Sequence, residues 1–170
     1  MRLSEKEMRL LAAIEFAADV PLAVVSRRAG LAKHSAFYYL NKFRTTGVIR
    51  RRPMFNPSAI GLQNYVLLLS LPSEHCEAAT TFAADHYAVA EMVRTKGAYD
   101  VAITLSVLNL SDVYRFLQGL TKEAGVHVQK KSISLVLEEQ FFARSYLAEK
   151  VGAGVRKSIQ FRFDESPRVF

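Results

Sequence analysis

A chain of 170 residues is long enough for one medium domain or two small ones. Half of it is hydrophobic and 23% is charged, an ordinary globular composition that excludes disorder, collagen-like repeats and fibrous chains. Lys and Arg number 23 against 16 Asp and Glu, and the resulting +7 points to an anionic partner such as nucleic acid, a membrane surface or an acidic protein. Unbroken apolar runs such as Tyr65 to Leu69 fall far below the roughly 18 residues of a membrane-spanning helix, so no segment is expected to cross a bilayer, and the confinement of the charge to residues 1–52 makes a membrane partner unexpected as well. The opening Met1-Arg2-Leu3-Ser4-Glu5-Lys6-Glu7 is charged and lacks an apolar signal core, which makes the cytoplasm the expected compartment. The single cysteine, Cys76, excludes an internal disulfide and a cysteine-based metal cage. The common phosphate-loop, dinucleotide and HExxH motifs are absent, and neither a cofactor nor a metal is expected.

The first helix is predicted from about Glu5 to Ala18. Ser4 and Glu7 stand three apart as a capping box, Leu3 and Met8 are placed as a hydrophobic staple, and Met8, Leu11, Ile14 and Ala18 recur at helical spacing. Pro21 suits the first position of a second, short helix with Leu22, Val25 and Ala29 as its buried stripe, closing at Gly30. After Gly30-Leu31-Ala32 a third helix is predicted, with Ala36, Leu40 and Phe43 on one face and Gly47 as its stop. Two helices joined by so short a glycine turn make a helix-turn-helix candidate. Val48-Ile49, Arg50-Arg51-Arg52 and Pro53 then offer a short basic wing strand.

The position of the charge favours this reading over a merely solvated arginine run. Residues 1–52 hold 11 Lys or Arg and 4 Asp or Glu, a net +7, whereas residues 53–170 hold 12 of each. Positive charge confined to a helix-turn-helix is the electrostatic footprint of a DNA reader, so double-stranded DNA is the expected partner. Opposite the buried stripe of the third helix stand Lys33, His34, Phe37, Tyr38, Asn41, Lys42 and Arg44. Lys33, His34 and Ser35 form the turn that enters a major groove first, and Asn41 can read an adenine edge. Arg44, Arg50, Arg51 and Arg52 suit phosphates, which position a protein without specifying sequence. Packing and base contact stand about even for Phe37, Tyr38 and Tyr39, because aromatic side chains more often bury than read.

Pro53 to Gly61 carries two prolines and a glycine and reads as a linker. Beyond it come a strand over Asn64–Leu71, a helix over Ser73–His86 with Cys76, Ala79, Phe82 and Ala83 inward, and a strand over Val89–Thr95. The order then repeats. Val101, Ile103, Leu105 and Val107 alternate with smaller or polar residues as a third strand. Ser111 is placed to cap a helix burying Val113, Phe116, Leu117 and Leu120, Gly125 ends it, and Val126–Leu137 gives a fourth strand. Strand-helix-strand twice over predicts a ferredoxin-like βαββαβ unit, an antiparallel four-stranded sheet with both helices on one face. Its other face calls for a cover, and a second copy of the chain is the simplest one. The expected fold class is therefore α+β: a winged helix-turn-helix over 1–52, a linker over 53–61, a ferredoxin-like effector-binding and oligomerisation domain over 62–147, and an extension over 148–170. Within that extension the alternation of Ile159, Phe161 and Phe163 predicts one more strand, pairing on a sheet edge or reaching a neighbouring subunit.

With these residues in view, the sequence resembles the Lrp/AsnC (feast/famine) regulators, whose C-terminal domain is the RAM-type ferredoxin-like unit. The matching residues are Leu3 to Leu11, Ala29-Gly30-Leu31, Gly47-Val48-Ile49, Asn56-Pro57 through Ile60-Gly61, and Gly97-Ala98-Tyr99-Asp100. The resemblance implies a sequence-specific, oligomeric transcriptional regulator with no catalytic activity. Its Gly-x-Tyr-Asp turn implies that Gly97, Tyr99 and Asp100 bind an amino acid or related small effector near a dimer contact. Gly97 allows close backbone approach and Asp100 can take an ammonium group; the alternative is a turn aspartate accepting local backbone hydrogen bonds. The chain departs from the family at Tyr39, where an Arg is usual, and at Phe43-Arg44, where a Leu-Glu pair is usual. The usual ionic bracing of the recognition helix is therefore expected to be missing.

An enzyme is the competing reading. Sirohaem decarboxylases are similar to Lrp/AsnC proteins in both domains, and His86-Tyr87 or His127 would be the proton donors. Against it stand the absence of Trp and a Gly-Ala-Tyr-Asp turn of regulator type.

Overall fold

The computed structural model describes residues 3–15, 20–50, 52–144, 147 and 158–162. Three helices come first: α1 (Glu5–Ile14), α2 (Leu22–Arg28) and α3 (Lys33–Thr45). They are followed by β1 (Gln63–Ser70), α4 (Cys76–Asp85), β2 (Val89–Arg94), β3 (Val101–Val107), α5 (Leu110–Lys122) and β4 (Lys130–Leu135), and then by β5 (Glu138–Phe142) and β6 (Ser158–Arg162). Two compact units result. One gathers residues up to Met54 with those from Gln140 to Gln160, and the other runs from Phe55 to Glu139 and takes up the chain again at Phe161.

In the first unit, the Ser4 hydroxyl accepts from the Glu7 N–H at 3.4 Å while the Glu7 carboxylate accepts from the Ser4 N–H at 2.8 Å, the capping box expected of α1. The helix ends at Ile14; positions 16–18 of the predicted span lie outside the described residues. Pro21 is the N-cap of α2 rather than its first residue, a shift of one position. α2 closes through Gly30 at φ 64°, with the Leu31 N–H donating to Ser26 O at 2.9 Å and the Gly30 N–H to Arg27 O at 3.1 Å. That paired arrangement needs a left-handed residue, which glycine supplies without steric cost. Leu10, Val25, Ala29, Ala36 and Phe43 are buried together as the core of the three helices. Each large member contributes about 1.5–3 kcal/mol by leaving water.

The expected wing strand is not among the assigned elements. Among the described residues no strand is assigned between Gly47 and Pro57, and Arg51, in the middle of the expected wing, lies outside them. Pro53 has no N–H to donate to a strand partner, and the chain turns at Pro57–Ile60 into the second unit.

The second unit follows the predicted order. Its sheet runs β2-β3-β1-β4 with every neighbouring pair antiparallel, β1 and β3 lying centrally with Leu67 opposite Ile103. Val101, Ile103, Leu105 and Val107 alternate as buried residues along β3, and with Leu67 and Leu69 they pack against Ala79 and Ala83 of α4 and Val113, Phe116 and Leu120 of α5. The cap of α5 is Asn109 rather than Ser111: its side chain accepts from the Ser111 N–H at 2.9 Å, and Asp112 answers to the Asn109 N–H at 3.3 Å. The Asn-x-x-Asp box starts two residues before the predicted Ser and satisfies more of the free helix donors. β4 is shorter than predicted. β6 pairs with β5 as a separate two-stranded sheet, not with an edge of the larger sheet, and Phe163 lies outside the described residues.

Candidate nucleic-acid interface and effector turn

α3 carries two faces because its buried residues repeat at helical spacing. Ala36 and Phe43 point into the three-helix core, leaving Lys33, His34, Phe37, Tyr38 and Arg44 exposed, with Asn41 half-buried among them. These positions fall three and four apart and form one stripe. Phe37 is 56% exposed and Tyr38 is 65% exposed, so both aromatic rings stand on the outer face and Tyr39 is the one turned partly inward. The Tyr38 and Tyr39 rings meet edge-on with centroids 5.6 Å apart. Ala32, the N-cap, gives no side-chain cap, and no acid stands in the first turn. The leading N–H groups of α3 therefore have no side-chain acceptor and add positive potential to Lys33. Arg50 and Arg52 are exposed just beyond the helix; Arg51 lies outside the described residues.

Two predicted groove residues are placed differently. Ser35 is half-buried at the edge of the stripe. The Lys42 ammonium lies 2.7 Å from Glu7 Oε1, turned onto α1 and away from the outer face. Glu7 is nearly buried, at 4% exposure, and the Lys42 ammonium, followed by the Ser4 N–H, holds its carboxyl down to about 2. The same bond raises the Lys42 ammonium above its ordinary value. The recognition helix is thus ionically braced after all. The brace runs through Lys42 and Glu7 rather than through the Phe43-Arg44 positions, and the sequence signal for it was Glu7 itself, assigned only to the cap.

In the second unit, Asp100 ends the turn before β3. Its Oδ2 accepts from the Leu71 N–H at 2.9 Å and from the Ser70 hydroxyl at 3.1 Å, while its own N–H donates to Leu69 O at 2.9 Å. Thr95 closes the loop, donating from its N–H to Asp100 O and from its hydroxyl to Tyr99 O. One carboxylate oxygen of Asp100 is therefore committed to the end of β1. Tyr99 is half-buried with the Lys130 ammonium 5.5 Å from its ring centre, a cation–π neighbour that sequence reasoning missed because β4 is remote in the chain. Gly97 is exposed, with open space where a side chain would sit.

The histidines of the enzyme reading have other surroundings. His86 stacks on Tyr87 with ring centres 4.9 Å apart, meets Phe116 edge-on, and accepts the Ala88 N–H at Nδ1; burial lowers its basicity. His127 is exposed.

No family model matches the chain. Among curated proteins it is 25% identical over 127 residues to the HTH-type transcriptional regulator FL11 of Pyrococcus abyssi, covering 73% of this chain and 83% of that one. Among solved structures it is similar to Bacillus subtilis LrpC, with a TM-score of 0.67 at 13% identity, covering 82% of this chain and 97% of that one. It is also similar to the Neisseria meningitidis regulator NMB0573 in complex with L-Met, with a TM-score of 0.67 at 15% identity over 80% and 90% of the two chains. The Pyrococcus and Neisseria proteins are named as transcriptional regulators. With a helix-turn-helix unit, a ferredoxin-like unit and this sequence likeness together, the chain is similar in sequence and in fold to transcriptional regulators of the Lrp/AsnC type.

Proposed function

We propose that this regulator reads double-stranded DNA sequence-specifically through the outer stripe of α3. The observation that carries the reading is the confinement of the whole +7 to residues 1–52 together with the exposure of Lys33, His34, Tyr38 and Arg44 along one helix face. Lys33, His34, Ser35, Tyr38 and Asn41 address base edges, whereas Arg44, Arg50, Arg51 and Arg52 hold phosphates. Lys42 supports the helix through Glu7.

The regulator works in the cytoplasm as a homodimer or larger assembly. The sheet face away from α4 and α5 carries Val66, Leu68, Ala102 and Thr104, half-buried within one chain, and Val93, which is 46% exposed; a second copy would cover them. Gly97, Tyr99 and Asp100 take an amino acid or related effector. Asp100 Oδ1 remains for an ammonium group, and the bound L-Met of the Neisseria protein supports that ligand class.

A mobility-shift titration against the protein's own upstream region, run across a salt series, tests the DNA reading. Binding should weaken steeply with salt, and the absence of any complex at low salt would refute it. Replacing Arg50, Arg51 and Arg52 with Ala should weaken binding to all sequences alike, while Lys33→Ala or Asn41→Ala should change preference among them.

A further inference from the structure

Glu15, at the C-terminal end of α1, is in an unfavourable place. A helix C-terminus is already negative, α1 has no basic residue in its last turn, and the Glu15 side chain keeps only 12% of its surface exposed. Its partners come from Arg144, at a separation of 129 residues: the Arg144 N–H donates to Oε2 at 2.8 Å and the Arg144 guanidinium to Oε1 at 2.9 Å. Immediately after, Leu147 donates its N–H to Arg144 O at 3.0 Å and lays its side chain against the core formed by Leu10, Val25, Ala36 and Phe43.

We propose that Gln140–Arg144 together with Leu147 act as a strap that completes the helix-turn-helix unit, with Arg144 as the residue that positions the end of α1. The helix-turn-helix unit is then built from two separate stretches of the chain, and residues 1–52 alone lack a part of it. A carboxylate at a helix end, largely withdrawn from water, needs a cation, and the strap supplies one together with an apolar anchor. The inference concerns how the unit is held and does not depend on what α3 binds.

Hydrogen exchange on the full chain tests it. Arg144→Ala should speed exchange of the Leu10 and Leu11 amides in α1 by about tenfold while leaving Leu67 and Ile103 in the sheet unchanged, because only the local opening of the first unit is affected. Arg144→Lys should fall between wild type and Arg144→Ala. Adding Glu15→Gln to Arg144→Ala should recover part of the loss, since a neutral amide no longer needs a cation. Leu147→Ala, which removes the anchor and leaves the ion pair, should give the same one-sided acceleration. Unchanged α1 exchange in Arg144→Ala and Leu147→Ala, or equal acceleration in both units, would overturn the proposal.

Discussion

The Lys42 ammonium sits 2.7 Å from one oxygen of Glu7 while the other oxygen accepts from the Ser4 N–H and the Ser4 hydroxyl, each at 2.8 Å. A single carboxylate therefore caps α1 and fastens the recognition helix to it. α3 owes its angle on the domain to this bond as well as to the burial of Phe43 and Ala36.

This carboxylate makes the stability of the first unit pH-dependent. Glu7 is held at about 2 against an ordinary 4.5, so its contribution is fully present above about 4.5 and is lost as pH falls toward 2. Denaturation of wild type and Glu7→Gln, followed by a helix signal between pH 6 and 2.5, should show a steeper acid loss in wild type. Parallel curves would contradict the assignment.

Because its charge is engaged by Glu7, Lys42 should add little to counterion release. Lys42→Ala is expected to lower stability and to leave the salt dependence of DNA binding nearly unchanged, whereas Arg44→Ala or Arg50→Ala should each reduce that slope by about 1. A unit reduction in Lys42→Ala would put its ammonium on a phosphate instead.

Gly30 holds φ 64° in the turn between α2 and α3. Gly30→Ala should cost about 1–2 kcal/mol, the penalty for a side chain in the left-handed region. Thermal unfolding of the first unit would read it directly, and an unchanged melting temperature would mean that the turn relaxes.

Asp100 has two separable duties. Asp100→Asn keeps an acceptor for the Leu71 N–H and the Ser70 hydroxyl, so it should fold with a loss of at most about 1 kcal/mol, while Asp100→Ala, leaving both donors unmatched, should cost about 1–3 kcal/mol. If the remaining oxygen takes an effector ammonium, a thermal-shift screen of amino acids should show stabilisation of wild type that Asp100→Asn abolishes. Equal stabilisation of both would remove Asp100 from the site.

Much of this molecule was legible from its residues. Ser4 and Glu7 marked the start of α1, the apolar repeats marked α2 and α3, the strict alternation over Val101–Val107 marked the central strand, and the charge count showed the whole positive excess before Pro53. These are local signals, carried by spacings of two to four residues that fix which face of an element is buried. Tertiary structure decided the pairings between distant residues. Lys42 found Glu7 across 35 positions, bracing the third helix on the first, and Arg144 found Glu15 across 129, drawing a late segment of the chain into its first unit. Periodicity says that a charged side chain lies on an outward face; which opposite charge meets it there depends on how whole elements pack, and no short window of sequence contains that information.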